Sequence, residues 1–99
     1  MFVRQTIIHT ELDKIDEAAN LFEESVIPAF RIQEGYQGAF FMSDRETGKS
    51  VCVSLWDSEE DAQANEKSHL YQEQLIKFMN YFTLNPIREG YELLVQDWK

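Results

Sequence analysis

The chain has one cysteine, two prolines, four glycines and two histidines in 99 residues, and each scarcity excludes something. A lone Cys52 cannot form an internal disulfide, no Cys-x-x-Cys spacing is present, and two histidines, His9 and His69, are too few and too far apart in sequence for a closed metal site, so neither metal nor cofactor is expected. So few glycines and prolines leave no room for a flexible linker or a low-complexity segment. No apolar run approaches the roughly 20 residues of a membrane span, and the N-terminal MFVRQTIIHT lacks the long apolar core of a secretory signal. A cytoplasmic location without membrane contact is the expectation. Positive charge is also scarce: 9 basic residues face 18 acidic ones for a net charge of −9, which opposes nucleic-acid phosphates and anionic lipid.

Apolar residues are plentiful, at 43% with 13% aromatic, which fits one domain over residues 1–99. A chain of this size buries little more than about 60% of its unfolded surface, so association would help it. Phe2–His9 reads as a strand with a polar middle, Arg4-Gln5-Thr6. Ile15, Ala19, Phe22, Val26 and Phe30 recur at helical spacing within about Asp13–Gln33, with Asp13, Asp16 and Glu17 near the positive end of the dipole. Pro28 lies inside that pattern and predicts a kink or a tightened last turn. Tyr36–Asp44 and Lys49–Trp56 read as a hairpin about a turn ending at Gly48. Asp57 or Ser58 can cap the next helix, with Glu60 as a capping-box partner of Asp57. That helix begins with the polar SEEDAQANE, a solvated face, and becomes amphipathic through Tyr71, Leu75, Phe78 and Phe82, with a break near Ser68. After the TLNP loop, Tyr91–Trp98 is the expected last strand.

The order βαββαβ with right-handed crossovers predicts a ferredoxin-like α+β domain, its antiparallel sheet ordered 4-1-3-2 with both helices on one face. Phe40 and Met42 then point one way and Ala39 and Phe41 the other, both sets apolar. Something must cover the second face, and a homodimer whose two sheets enclose a cavity is the expectation.

Residues 35–64, GYQGAFFMSDRETGKSVCVSLWDSEEDAQA, together with VIPAF before and KSHLYQEQL after, resemble antibiotic-biosynthesis-monooxygenase-like domains of the dimeric α/β-barrel superfamily. The likeness extends over nearly the whole chain. It implies the dimeric α/β barrel and a cavity used for small molecules: some such domains oxidise aromatic polyphenols with molecular oxygen and no metal or flavin, and others degrade haem. Haem-degrading relatives carry an Asn, a Trp and a His where this chain has Thr6, Asn65 and Leu75, which argues against haem; the same exchange weighs against the quinone-forming chemistry.

The expected function is therefore a cofactor-independent monooxygenase acting on a small aromatic, with a non-catalytic ligand-binding or regulatory dimer, or a purely structural dimer with a filled core, as the alternatives. The expected catalytic residues are His69, a neutral-pH base at a helix end near the cavity mouth, and Arg4, a cation able to stabilise an oxyanion. The rival reading of His69 is a helix-start residue in water. Arg4-Gln5-Thr6 fits equally a polar cavity lining or an intersubunit hydrogen-bond network. Thr6, Trp56, Asn65 and Tyr71 complete the expected ligand-binding set, though a large aromatic at Trp56 suits packing better. Cys52, between Val51 and Val53, reads as a small buried apolar residue.

Overall fold

A computed structural model describes residues 1–81 and 83–99. Four strands, β1 (Phe2–His9), β2 (Tyr36–Ser43), β3 (Lys49–Trp56) and β4 (Ile87–Glu92), form one antiparallel sheet in the order β2-β3-β1-β4, the expected 4-1-3-2 arrangement seen from the other edge. Strand β1 is central despite its polar middle, pairing Phe2 with Trp56 and His9 with Lys49 on one side and Phe2 with Glu92 on the other. The hairpin follows its turn chemistry. Asp44 accepts from Glu46 N through Oδ1 at 2.8 Å, and Gly48 takes φ +80° while its carbonyl accepts from Thr10 N at 2.9 Å.

The β1–β2 crossover is helical but uneven. A 3-10 turn at Leu12–Lys14 leads into α1 (Ile15–Leu21), a π-helical turn spans Phe22–Val26, and α2 runs Ile27–Arg31. Ile27 N bonds back to Phe22 O. The helix therefore widens ahead of Pro28 instead of tightening, because a proline has no N–H to donate and its ring crowds the carbonyl four residues back. After β3, Ser58 caps α3 (Glu59–Glu66), its Oγ accepting from Asp61 N at 3.2 Å. The break expected near Ser68 is present: Ser68 Oγ accepts from Tyr71 N at 3.1 Å and starts α4 (His69–Phe78). Phe82, expected to extend this apolar stripe, lies outside the described residues.

The last strand differs from expectation. It occupies Ile87–Glu92, not Tyr91–Trp98, since β1 offers its free edge only from Ile7 back to Phe2; the final pairing is Leu93 N to Met1 O at 2.9 Å. Residues 94–98 run past the end of β1 without a partner strand, leaving Leu94, Val95 and Trp98 exposed.

All helices cover one face. Ile8, Ala18, Phe22, Val26 and Phe78 form the core there, and Phe22 meets Phe41, Phe30 and Phe78 at centroid distances of 5.6, 6.4 and 6.5 Å. The register sends Ala39 and Phe41 to the helices and Phe40 and Met42 to the open face, beside Val51 and Ile87. Among the described residues no helix is long and apolar enough to cross a membrane.

Candidate functional site

The polar middle of β1 alternates. Arg4 and Thr6 point under the helices with Ile8, whereas Gln5 shares the open face with Val53 and Glu89. Arg4 is only 8% exposed. A cation so placed needs acceptors, and helix α3 brings two within reach: Ala62 O at 3.2 Å and Glu66 Oε1 at 3.1 Å. Opposite Arg4 on β4 stands Gly90, where any Cβ would strike the Phe2 ring; this absence lets Phe2 lie beneath the Arg4 guanidinium, 5.8 Å from the ring centroid. Burial lowers the Arg4 pKa, with Glu66 opposing that shift. The group nonetheless stays charged, as guanidinium does in proteins.

Glu66 also holds Arg88 from β4 at 3.2 Å, and Arg88 Nη1 donates to the Tyr71 hydroxyl at 2.7 Å. The Arg88 guanidinium lies 5.5 Å from the Tyr71 ring centroid. Burial raises the Tyr71 pKa and Arg88 works against it, so the phenol remains protonated and, having accepted from Arg88, keeps its own proton to donate. One carboxylate thus ties β1, α3, α4 and β4 together.

Beneath this network lies a void of about 30 Å³ lined by Arg4, Thr6, Phe30, Ser54, Asn65 and Tyr71, with Cys52 and Val53. It shares Thr6, Phe30, Cys52 and Tyr71 with an apolar crevice of about 70 Å³ between the π turn and α4, walled by Ile8, Phe22, Val26, Leu75 and Phe78. The two adjoin across these four residues, a polar part beside an apolar one, and are together termed the crevice. Asn65 is 3% exposed and lines the void; its side-chain amide has no hydrogen bond among the described residues, and since no fully enclosed side-chain N or O among them lacks a partner, the amide keeps access to open space. A buried polar group left open to a cavity is the mark of a position that water or ligand completes.

Four of the six residues expected at the site, Arg4, Thr6, Asn65 and Tyr71, therefore meet in one place. That place is between the sheet and the helices of the single chain, on the face opposite the one expected to enclose an intersheet cavity. His69 and Trp56 stand apart. His69 is exposed at the first turn of α4 and lines neither part of the crevice, since the Ser68 cap turns that position to solvent. Trp56 is fully buried, its indole donating to Ser54 Oγ at 2.9 Å and its ring edge-on to Phe30 at 5.7 Å; it packs in the core and lines neither part of the crevice. Cys52 borders the crevice, but burial pushes its thiol up to about 12, which makes it a poor nucleophile.

Sequence reasoning missed Glu66, Arg88 and Gln74. Glu66 reads as part of a solvated helix face and Arg88 carries no motif; Gln74, a polar residue in step with Tyr71 and Phe78, was the available signal. On the outer side of Arg4 a broad hollow of about 690 Å³ carries Asp57, Glu59, Glu60, Glu89 and Glu92, and would repel anions.

No family model matches the sequence, and no curated protein matches it. Solved structures do match. A monooxygenase from Streptomyces coelicolor in complex with nanaomycin D is 14% identical and superposes with TM-score 0.80 over 99% of this chain and 91% of that one. Proteins classed with the antibiotic biosynthesis monooxygenases are similar: one from Nitrosomonas europaea at TM-score 0.78, 14% identity and 96% and 100% coverage, another from Caulobacter crescentus at 0.79, 12%, 95% and 90%. At these identities the shared property is the fold.

Proposed function

We propose that this chain, which has the ferredoxin-like fold of the antibiotic biosynthesis monooxygenases, binds a small phenolic aromatic in the crevice between its sheet and helices and oxygenates it without a cofactor. The observation that carries the reading is Asn65, a buried amide with no protein partner facing a void that Arg4, Thr6 and Tyr71 also line. The ring would lie among Phe22, Phe30 and Leu75 with its oxygen toward Asn65 and Tyr71. The crevice is smaller than the roughly 300–1,000 Å³ usual for drug-sized ligands, which favours a single ring.

The chemistry follows from charge. A phenol gives an electron to oxygen far more readily as phenolate, and a fixed Arg4 cation with two neutral donors lowers the cost of releasing the phenol proton to solvent. Transfer of one electron to O2, recombination to a C–O bond and loss of water convert the phenol and one O2 into a quinone and one water. Oxygen uptake with a panel of monocyclic phenols tests this. Turnover should fall about a hundredfold in Arg4→Gln and Asn65→Ala, as when an oxyanion donor is lost; unchanged turnover in both would sink the mechanism.

A second reading, a binding or regulatory protein, is favoured by His69: with that base in solvent, the crevice holds no group that titrates near neutrality on its own. Binding without oxygen uptake would select it. In either case a homodimer is part of the proposal, supported by the apolar open face around Phe40, Met42, Val51, Ile87 and Tyr91, which the helices leave uncovered.

A further inference from the structure

We infer that Gln74 is a second polar contact for the ligand, at the far, apolar end of the crevice, and that it selects aromatics carrying an acceptor oxygen opposite the phenol. The inference rests on the crevice being the binding site. Gln74 is 9% exposed and lines the apolar part, where the only other polar side chains are Thr6 and Tyr71.

The direction of its amide is set by a chain of three groups. Lys77 Nζ lies 2.9 Å from Ser25 Oγ, and Ser25 Oγ lies 2.7 Å from Gln74 Oε1. An ammonium can only donate, so Ser25 accepts from Lys77 and spends its single proton on Gln74. The Gln74 oxygen is thereby engaged and its Nε2 is left as a donor. That nitrogen has no protein partner among the described residues, and it is not sealed from accessible space.

The π turn makes this possible. Ser25 sits in the widened stretch Phe22–Val26, whose Phe22 and Val26 wall the same crevice, so one segment supplies both the apolar surface and the hydroxyl that orients the amide. At the other end Asn65 and the protonated Tyr71 offer donors. A ligand that satisfies both ends is a single ring with oxygen acceptors at opposite positions: a phenol bearing a para carbonyl, or a para-quinone.

The matched pair 4-hydroxyacetophenone and 4-ethylphenol isolates the far end, since both have the phenol and only the first has the acceptor. Titration calorimetry with the full chain should show the wild type binding 4-hydroxyacetophenone about tenfold more tightly, as expected for one neutral hydrogen bond in a dry site. In Gln74→Leu that preference should vanish, the two compounds binding with equal affinity. In Ser25→Ala, which frees the amide to rotate, the preference should shrink. Asn65→Ala should weaken both compounds alike. If the wild type binds both equally, or Gln74→Leu keeps the tenfold preference, this inference fails while the crevice stands. If neither compound binds, the crevice reading fails and this inference falls with it.

Discussion

Replacing Asn65 with leucine should make the protein more stable and unable to bind its ligand. The amide is buried in the last turn of α3 with no protein partner, so the fold bears part of its desolvation cost. For a neutral polar group that cost is about 1–3 kcal/mol, and the low end applies because the adjoining void has room for water. Leucine is also the better helix former, by about 0.5 kcal/mol at an interior position. Against these gains stands a change of shape in a packed site, about 1 kcal/mol if the neighbours Phe30 and Tyr71 must shift. The balance is a gain of about 0.5 kcal/mol, which in a domain of this length raises Tm by about 2–4 °C. Thermal melts followed by circular dichroism, run at one protein concentration because association shifts Tm, measure it directly. Asn65→Ala serves as the comparison, losing the amide without filling its space. A Tm several degrees lower for Asn65→Leu would refute the reasoning, since it would mean the amide is satisfied in the folded protein and belongs to the structure.

Other outcomes can be stated briefly. Light scattering at micromolar concentration should give twice the 11.7 kDa chain mass, and Phe40→Asp, placing a charge on the open face, should yield monomer; a wild-type monomer would remove the dimer from the proposal. Cys52, its thiol raised to about 12, should alkylate slowly at pH 8 in the native protein and rapidly once unfolded; equal rates would contradict its burial. The exposed pair Asp16–Arg45, at 2.7 Å, holds the Asp16 carboxyl below its ordinary 3.8, so its small contribution is present above that pH and fades as pH falls through the depressed value. Carboxyl titration by NMR in Arg45→Ala should return Asp16 upward, and no movement would deny the contact.

Local chemistry made most of the architecture legible. Gly48 and the alternation through Lys49–Trp56 located β3 to the residue, and Ser68 marked the break between α3 and α4. Strand β4 escaped because Arg88, Glu89 and Gly90 weaken its strand signal while the more apolar Tyr91–Trp98 reads as the better strand; the edge of β1, distant in sequence, decided the matter. The polar run in β1 pointed to a lined cavity, but which face it lined depended on register, and one residue of register exchanges Arg4 for Gln5. His69 and Asn65 are one helical turn apart in sequence, yet the cap between them starts a new axis, and only one faces inward. Gln74 was hidden for a different reason: its meaning comes from Ser25 and Lys77, and a hydrogen-bond direction has no sequence pattern.

The central place of β1 also fixes when the sheet can close during synthesis. The first strand made is the one that needs partners on both edges. Strand β3 can cover one edge once the hairpin has emerged, but the other edge waits for Ile87–Glu92, close to the end of the chain. Arg4 already has its acceptors from α3 by then, and Arg88 arrives on that last strand to share Glu66 with it. Until that strand is made, the nascent domain carries an open strand edge, a state in which pairing with another chain competes with its own completion. A ribosome stalled before residue 87 should therefore expose a species that is more prone to associate than the finished protein, and protease sensitivity of β1 should drop sharply as the last strand is added.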